Sequence, residues 1–563
     1  MRKYLALALA LMLALGLCLT ACGTPASSSA PAGGTSASEP ATGPEDPSTS
    51  TGGDDVSAPS GGDTDGMVPK DNITVASQFI VAKIDPQYGA GQWEWSINRG
   101  VYDSLFRAPK MDYYACEPWL AEDYAYSDDL LDMTLTLRQG VKFHDGSEMT
   151  SADVVYSLER AMVSAYTNAA LQAIDSVEAT DDYTVVIHMK YTFPIMVEVL
   201  ADYQFGAIVS KNAIETYGEG AQEAVVGTGP YKLKEWSADN NITLEYFEDY
   251  WADEPEIKKV TYRAIPDYST AAIAMQSGEI DVLNYGLMTD LVNLADSGEF
   301  TVNSFLRDHT YGLAINNQLP PFDNVEVRRA ISHAIDREAV NAIVSEGTGS
   351  TQTLSRTSPR GEGYQTALDE GRLTAYEYDV EKAKTMLAEQ GIDENNRVTV
   401  NFVCPSPTMA QSFAAVMQEQ LGKVGFDLDI EVMEASTYIN RLATGQFGMS
   451  YNDSGLMPYF SPVLYSFQYG TGNIYNRDNV SIPEVDALLE QGLSEWDKDA
   501  RNEIYAEMLE IITDQATTGV GVQTRAFIIS TKGLQVYPDP VMMPSAVYDM
   551  HWGEHDDNAI TAR

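Results

Sequence analysis

A tract with almost no capacity to fold divides this chain. From Gly23 to Gly66, 36 of 44 residues are Gly, Pro, Ser, Thr or Ala, no Lys or Arg occurs, and Val56 is the only larger apolar side chain. Such a segment cannot bury enough apolar surface to offset the entropy of ordering it. Treated as a flexible coil, its ends lie roughly 35 Å apart. Of the 563 residues, the 497 beyond Gly66 must supply the folded body. That is too many for one hydrophobic core, so at least two lobes are expected.

Ahead of the tract, Arg2 and Lys3 make a cationic start, residues 4 to 19 are almost wholly apolar, and small residues precede Cys22. This is the grammar of a secretory signal. The apolar stretch is too short to span a bilayer comfortably, which takes about 20 residues. Leu19-Thr20-Ala21-Cys22 resembles a bacterial lipobox. The resemblance implies diacylation of the Cys22 sulfur and removal of residues 1–21, leaving 22–67 as a lipidated tether. An ordinary cleaved signal with an incidental cysteine, and an uncleaved anchor, are the alternatives.

Without residues 1–21 the chain keeps 33 cationic side chains against 82 acidic ones, a charge of −49. Nucleic acid is excluded as a partner on this ground, since phosphate binding calls for clustered Lys and Arg. The acidity reads as a solvated, self-repelling surface rather than a cation collector. Once Cys18 leaves with the signal and Cys22 is acylated, Cys116 and Cys404 remain. They stand far apart without a Cys-x-x-Cys or metal-type neighbourhood, and two buried free thiols are expected.

The body alternates strand and helix patterns. Leu131, Met133, Leu135 and Leu137 alternate with Asp132, Thr134, Thr136 and Arg138, as in a half-buried strand. Asp145-Gly146 supplies a turn. Thr150 can then cap a helix with Asp153 three positions on, and Val154, Leu158, Ala161 and Met162 share its apolar face. Further helices are expected at 324–345 after Asn324, 380–390, 409–424, 484–493 and 498–515. Apolar strands are expected at Ile73 to Val75, Val398 to Val403 and Leu428 to Val432. The mixture predicts an α/β protein with discontinuous lobes.

Certain runs are recognisable as they stand. They include Tyr102-Asp103-Ser104-Leu105-Phe106, Phe143-His144-Asp145-Gly146, Ser157-Leu158-Glu159-Arg160, Gly227-Thr228-Gly229-Pro230-Tyr231, Tyr250-Trp251 and Gly278-Glu279-Ile280-Asp281. Asn316 with Pro321-Phe322-Asp323, Val327-Arg328-Arg329-Ala330, Ala334-Ile335-Asp336-Arg337, Tyr378-Asp379 and Val485-Asp486 continue the series. In this order, over roughly residues 73 to 530, the chain resembles the extracellular solute-binding proteins of family 5, the peptide and nickel receptors of ATP-driven importers. The resemblance implies a type II periplasmic-binding-protein-like fold with two hinged lobes and an inserted subdomain. Lobe I would comprise 68–113, 227–315 and 525–563, with 114–226 as the insertion, and lobe II 316–524. It implies closure of the lobes over a ligand, no cofactor, a monomeric state, and an ABC permease and ATPase as partners. The location would be the outer face of the cytoplasmic membrane in a Gram-positive-type cell.

Most of these motifs read as architecture. His144-Asp145-Gly146 is expected to be a turn rather than a catalytic pair, and Gly227-Thr228-Gly229-Pro230 a tight backbone passage between lobes, since it lacks the Lys and Ser/Thr of a phosphate loop. Asp336-Arg337 is expected to form an ion pair late on the 324–345 helix. No nucleophile elbow, His-Glu-x-x-His, Walker loop or complete Gly-x-Gly-x-x-Gly occurs, and an enzyme is not expected. His551, Glu554, His555, Asp556 and Asp557 read as an acidic tail rather than a metal site.

Ligand-contacting candidates fall on two segments. Ile84 to Tyr88 through Gln92, Trp93, Glu94 and Trp95 lies where relatives of the resembled family present a ligand-facing loop. The two tryptophans fit a stacking wall, with a core role for one as the alternative. Met449 to Leu464 lies where peptide receptors of that family carry an Asp-Pro that captures the α-ammonium group. Here Ser461-Pro462 stands instead, and a serine cannot supply the opposite charge a buried ammonium needs. Asp453 is the possible replacement, while Tyr451, Asn452 and Tyr459 offer a polar and aromatic pocket. A surface turn at Asn452 to Gly455 is the plain alternative. Peptides or peptide-like solutes are the expected cargo; sugars, opines and chelated nickel are the other ligands considered, and a surface adhesion or signalling role on the same scaffold is the competing class.

Overall fold

The computed structural model describes residues 69–88, 92–107, 116–237, 240–351, 354, 356–406, 408–455, 461–519, 521–537 and 549–553. Cys22, the tether, Tyr459, and Glu554 to Asp557 lie outside the described residues. In chain order the principal strands are β1 (Asn72–Ser77), β2 (Ala121–Tyr126), β3 (Asp132–Leu137), β4 (Ile174–Asp181), β5 (Thr184–Met189), β6 (Tyr231–Ser237) and β7 (Asn241–Tyr246). They continue with β8 (Lys259–Ala264), β9 (Val282–Leu283), β10 (Phe300–Ile315), β11 (Val398–Pro405), β12 (Phe426–Met433), β13 (Met449–Gly455) and β14 (Gly521–Thr531).

One ten-stranded mixed sheet runs in the order β12-β11-β13-β10-β14-β9-β1-β8-β7-β6. Among the described strands only β10 and β14 serve both of its ends. Phe300 to Leu306 pair antiparallel with Thr531 to Arg525, beside β9 and β1. The ladder then lapses and resumes at Thr310↔Gln523, while His309 to Ile315 pair with Gly455 to Met449 of β13. Two extra residues on β10 are left at the lapse, a bulge that bends and twists the strand locally.

Separate cores flank this crossing. One gathers Ile73, Val75, Trp93, Ile97, Tyr231, Tyr262, Val282 and Ile528 around β1. Another gathers Leu313, Ile315, Ile331, Phe402, Phe413, Met417, Phe426 and Tyr451 around β11. A four-stranded antiparallel sheet, β2-β3-β5-β4, has its own core. There the predicted alternation holds: Met133, Leu135 and Leu137 are fully buried, each burial contributing about 1.5–3 kcal/mol. The helix Ser151–Val163 closes that core with Val154, Leu158 and Ala161. Thr150 and Asp153 form its capping box, the Thr150 amide donating to Asp153 Oδ2 at 3.1 Å.

One expected helix is two. The 324–345 segment forms Val325–Ala334 and then, after Ile335 turns extended, Arg337–Val344. Asp336 is the N-cap of the second helix, its Oδ1 accepting from the Glu338 and Ala339 amides at 3.0 and 3.1 Å. Arg337 donates to the Thr351 carbonyl at 3.1 Å. The expected Asp336–Arg337 ion pair thus gives way to capping, which an aspartate performs better than pairing with its chain neighbour. Cys404 is buried and free as expected, whereas Cys116 is partly exposed.

The recognised motifs hold the backbone together. Asp103 is buried and accepts from Trp119 Nε1 (2.9 Å), Trp251 Nε1 (3.0 Å), Thr228 Oγ1 (3.1 Å) and Tyr250 Oη (3.3 Å). Burial pushes its carboxyl above the usual range, and these donors pull it only part of the way back. Gly227 and Gly229 pass so close to Val101 that a Cβ on Gly227 would stand 2.0 Å from the Val101 carbonyl oxygen. The tight passage exists, packed against the chain at Val101 and Tyr102.

Candidate functional site

The lapse between β10 and β14 exposes Arg307, Asp308 and His309 to two different surroundings. Gln523 Nε2 donates to the Arg307 carbonyl at 2.9 Å, fixing the backbone of the bulge. His309 Nε2 meets Asp453 Oδ1 at 2.5 Å across the β10–β13 pairing. The Asp453 side chain remains half exposed even in this close company. Burial acts to raise its carboxyl, but His309, Arg477 and Arg307 outweigh that and hold it below the usual carboxylate range.

Arg477 donates to the Asp453 carbonyl at 2.9 Å and to Asn452 Oδ1 at 3.3 Å. Desolvation, with the charge of Arg356 nearby, lowers the affinity of Arg477 for its proton. Arg356 pairs with buried Asp478, whose Oδ1 also accepts from the Ile315 amide at 2.9 Å. Arg360 reaches Asp308 Oδ2 at 3.2 Å, and Ser358 Oγ donates to Asp308 Oδ1. Among the described residues, Arg307 Nε, His309 Nδ1, Thr310 Oγ1 and Thr524 Oγ1 are buried and meet no hydrogen-bond partner.

Aromatic rings flank the cluster on the β13 side. Tyr311 stacks on Tyr451 at 5.8 Å and meets the His309 ring edge-on at 4.9 Å; Tyr451 packs in turn on Phe413 at 5.4 Å. From the other half of the sheet, Trp93 contacts Tyr285 at 5.5 Å and Tyr285 contacts Tyr268 at 6.1 Å. Burial raises the Tyr311 hydroxyl, and Tyr268 is near enough to add to the effect of Asp453 there.

The candidates from sequence divide accordingly. Gln92 to Val101 is a helix rather than a continuation of the Ile84–Tyr88 loop. That loop is pinned from below, Asp85 Oδ2 pairing with Arg160 at 2.9 Å. Trp93 is a core residue, and Trp95 is half-buried with no partner for Nε1. Burial raises the Glu94 carboxyl, whose Oε2 likewise finds no partner. Tyr451, Asn452 and Asp453 lie together on β13, with Tyr451 buried as the second ring of the stack and Asn452 buried on Arg477. Ser461 opens the helix Ser461–Tyr469 away from them, 2% exposed, its Oγ accepting from the Glu362 amide at 3.0 Å. Arg307, His309 and Arg477 were not foreseen. Their signal is the triplet Arg307-Asp308-His309 inside a sixteen-residue strand, where an unbroken ladder would alternate instead.

Residues 115–476 match the family model of bacterial extracellular solute-binding proteins, family 5. A glutathione-binding protein, GsiB, of Salmonella paratyphi A is 27% identical over 465 residues, covering 78% of this chain and 86% of the relative. Heme-binding protein A of Haemophilus influenzae is 28% identical over 433 residues, covering 71% and 77%. Among solved structures, NikA from Brucella suis in complex with Fe(III)-EDTA superposes with a TM-score of 0.76 at 21% identity, over 86% of this chain and all of that one. DppA from Helicobacter pylori in complex with the peptide STSA gives 0.72 at 24%, over 86% and 98%.

Proposed function

The chain belongs to the bacterial extracellular solute-binding proteins, family 5, and from that premise we propose that it is the capture subunit of an ABC importer for peptides or peptide-like solutes. Its solute would lie between the two halves of the sheet, and closure would present the loaded form to a membrane permease. The observation that carries this reading is the lapse in the β10–β14 ladder. The only described strands common to both halves lose their mutual hydrogen bonds at Arg307 to His309, and polar atoms stand unpaired there. Segments that absorb backbone change at such a break are what hinge closure requires. The division into lobe I (68–113, 227–315, 525–563), an inserted 114–226 and lobe II (316–524) belongs to the same proposal.

A panel of short peptides and small nutrients tests it. At least one member should raise the melting temperature, because selective binding to the folded state stabilises it by mass action, about 2.7 kcal/mol at a hundredfold excess over Kd. A panel without any effect counts against capture. Relatives and structural neighbours named for glutathione, heme, a peptide or Fe(III)-EDTA define its breadth. Tethering by a lipid on Cys22 is the second part of the proposal. Cys22→Ala should abolish fatty-acid labelling and release the protein from membranes, whereas labelling that persists would remove the anchor.

A further inference from the structure

A second junction between the two halves lies away from the crossing strands. The four-stranded sheet is carried between β1 and β6, in one half, whereas the helices Ser461–Tyr469 and Pro483–Ser494 follow β13, in the other. Val463 is nonetheless part of the core of the four-stranded sheet, and Leu464, Phe467 and Leu493 pack against it. Tyr126, which ends β2, meets Trp496 edge-on at 4.8 Å. Among the described residues none from β10 or β14 enters this core. Hinge motion at the bulge would therefore part this contact or press it together.

The apolar part of the junction is well packed; its polar part is not. The Tyr126 hydroxyl and the Trp496 indole N–H are buried and meet no hydrogen-bond partner among the described residues. Glu198, on the helix Met196–Ala201, stands within electrostatic reach of Arg501 and Lys498, from the helix Lys498–Asp514, and of Glu362. Arg501 is already taken, its Nε and Nη2 donating to the two Glu362 carboxylate oxygens at 2.6 and 2.9 Å. Glu198 thus keeps a charge without an ion-pair partner among the described residues. Burial pushes its carboxyl above the usual range; its own backbone amide, Arg501 and Lys498 pull it back, and Glu362 adds to the rise. A partly buried carboxylate in this position opposes the burial of the contact around it. Resting on the closure reading above, we propose that this junction is a latch: it parts when the halves swing open, and the charge of Glu198 weakens it, so that neutralising that charge favours the closed form. The four-stranded sheet then takes part in capture, setting from outside the crossing strands how much of the receptor stands closed.

Leu464→Cys on the full folded chain tests the latch without any solute. Alkylation of that thiol by N-ethylmaleimide, separated from Cys116 and Cys404 by peptide mass spectrometry, reads how often the junction parts. At a fixed neutral pH, labelling should be faster than global unfolding allows and nearly independent of low denaturant, as for a local opening that exposes little surface. Adding Glu198→Gln should slow it roughly fivefold. Adding Val463→Ala should speed it by more than the accompanying fall in the denaturant midpoint explains. Labelling that tracks global unfolding, or an unchanged rate in Glu198→Gln, overturns the latch. A solute that raises the melting temperature in the panel above should slow labelling further; labelling indifferent to such a solute overturns the latch and leaves capture standing. A panel without any effect counts against capture alone, since the labelling of the free chain needs no solute.

Discussion

The surroundings of His144 suit a neutral ring. Its Nε2 faces the Gly229 carbonyl at 2.8 Å, and its Nδ1 accepts from the Gly227 amide at 3.3 Å. A second ring proton would point at that amide N–H. Burial, opposed by the Gly229 bond, pushes the imidazole down from 6.5 to about 4. Above pH 6.5 both folded and unfolded chains hold the ring neutral. As pH falls from 6.5 towards 4 only the unfolded chain gains the proton, so stability is lost across that window, about 3 kcal/mol in total. His144→Asn removes the titration: its deficit relative to the parent should be largest near pH 7.5 and shrink by about that amount at pH 4. Denaturant midpoints measured across the window check it, and a constant deficit would contradict it. At this scale the sequence was instructive about what His144 is not, a catalytic base, since Asp145-Gly146 announced a turn. The ring's tie to Gly227 and Gly229 was beyond local pattern, because it joins segments 83 residues apart. Arg307 escaped for the same reason: its surroundings come from β14, β13 and the 477 loop.

Elements with strong periodicity were legible where their signals were local. The capped helix Ser151–Val163 and the helix Val380–Glu389 behind Asp379 follow from cap and apolar face alone. The 324–345 run failed at Ile335, where both flanking turns are apolar at helical spacing and nothing marks a break except Asp336. That aspartate reads equally as an internal charge or a cap, and the choice is made by packing: Ile335 is buried against the β11 core, and the Asp336 amide donates to Gln420 Oε1 at 2.9 Å. The crossing strand β10 was hidden more thoroughly. Its first half is half-buried and its second half buried, so it carries two patterns separated by charged residues, which a period-2 reading divides into unrelated pieces. The same division is its structural meaning, one strand shared by two halves with a bulge between them.

For the molecule as a whole, ordered motifs along the chain were enough to reach the fold, because they fix backbone junctions that a given topology requires: Asp103 under Trp119 and Trp251, Gly227 against Val101, Asn316 bridging the Gly445 and Phe447 carbonyls at 3.1 and 3.0 Å. Cargo is a different matter, set by a few side chains that such junctions do not constrain. The account rests on closure about the β10–β14 lapse. Small-angle scattering of residues 68–563, with and without a saturating solute that raises the melting temperature, tests this most directly. The radius of gyration, about 23 Å for a compact body of this length, should fall on binding. An unchanged scattering curve at saturation would contradict the account.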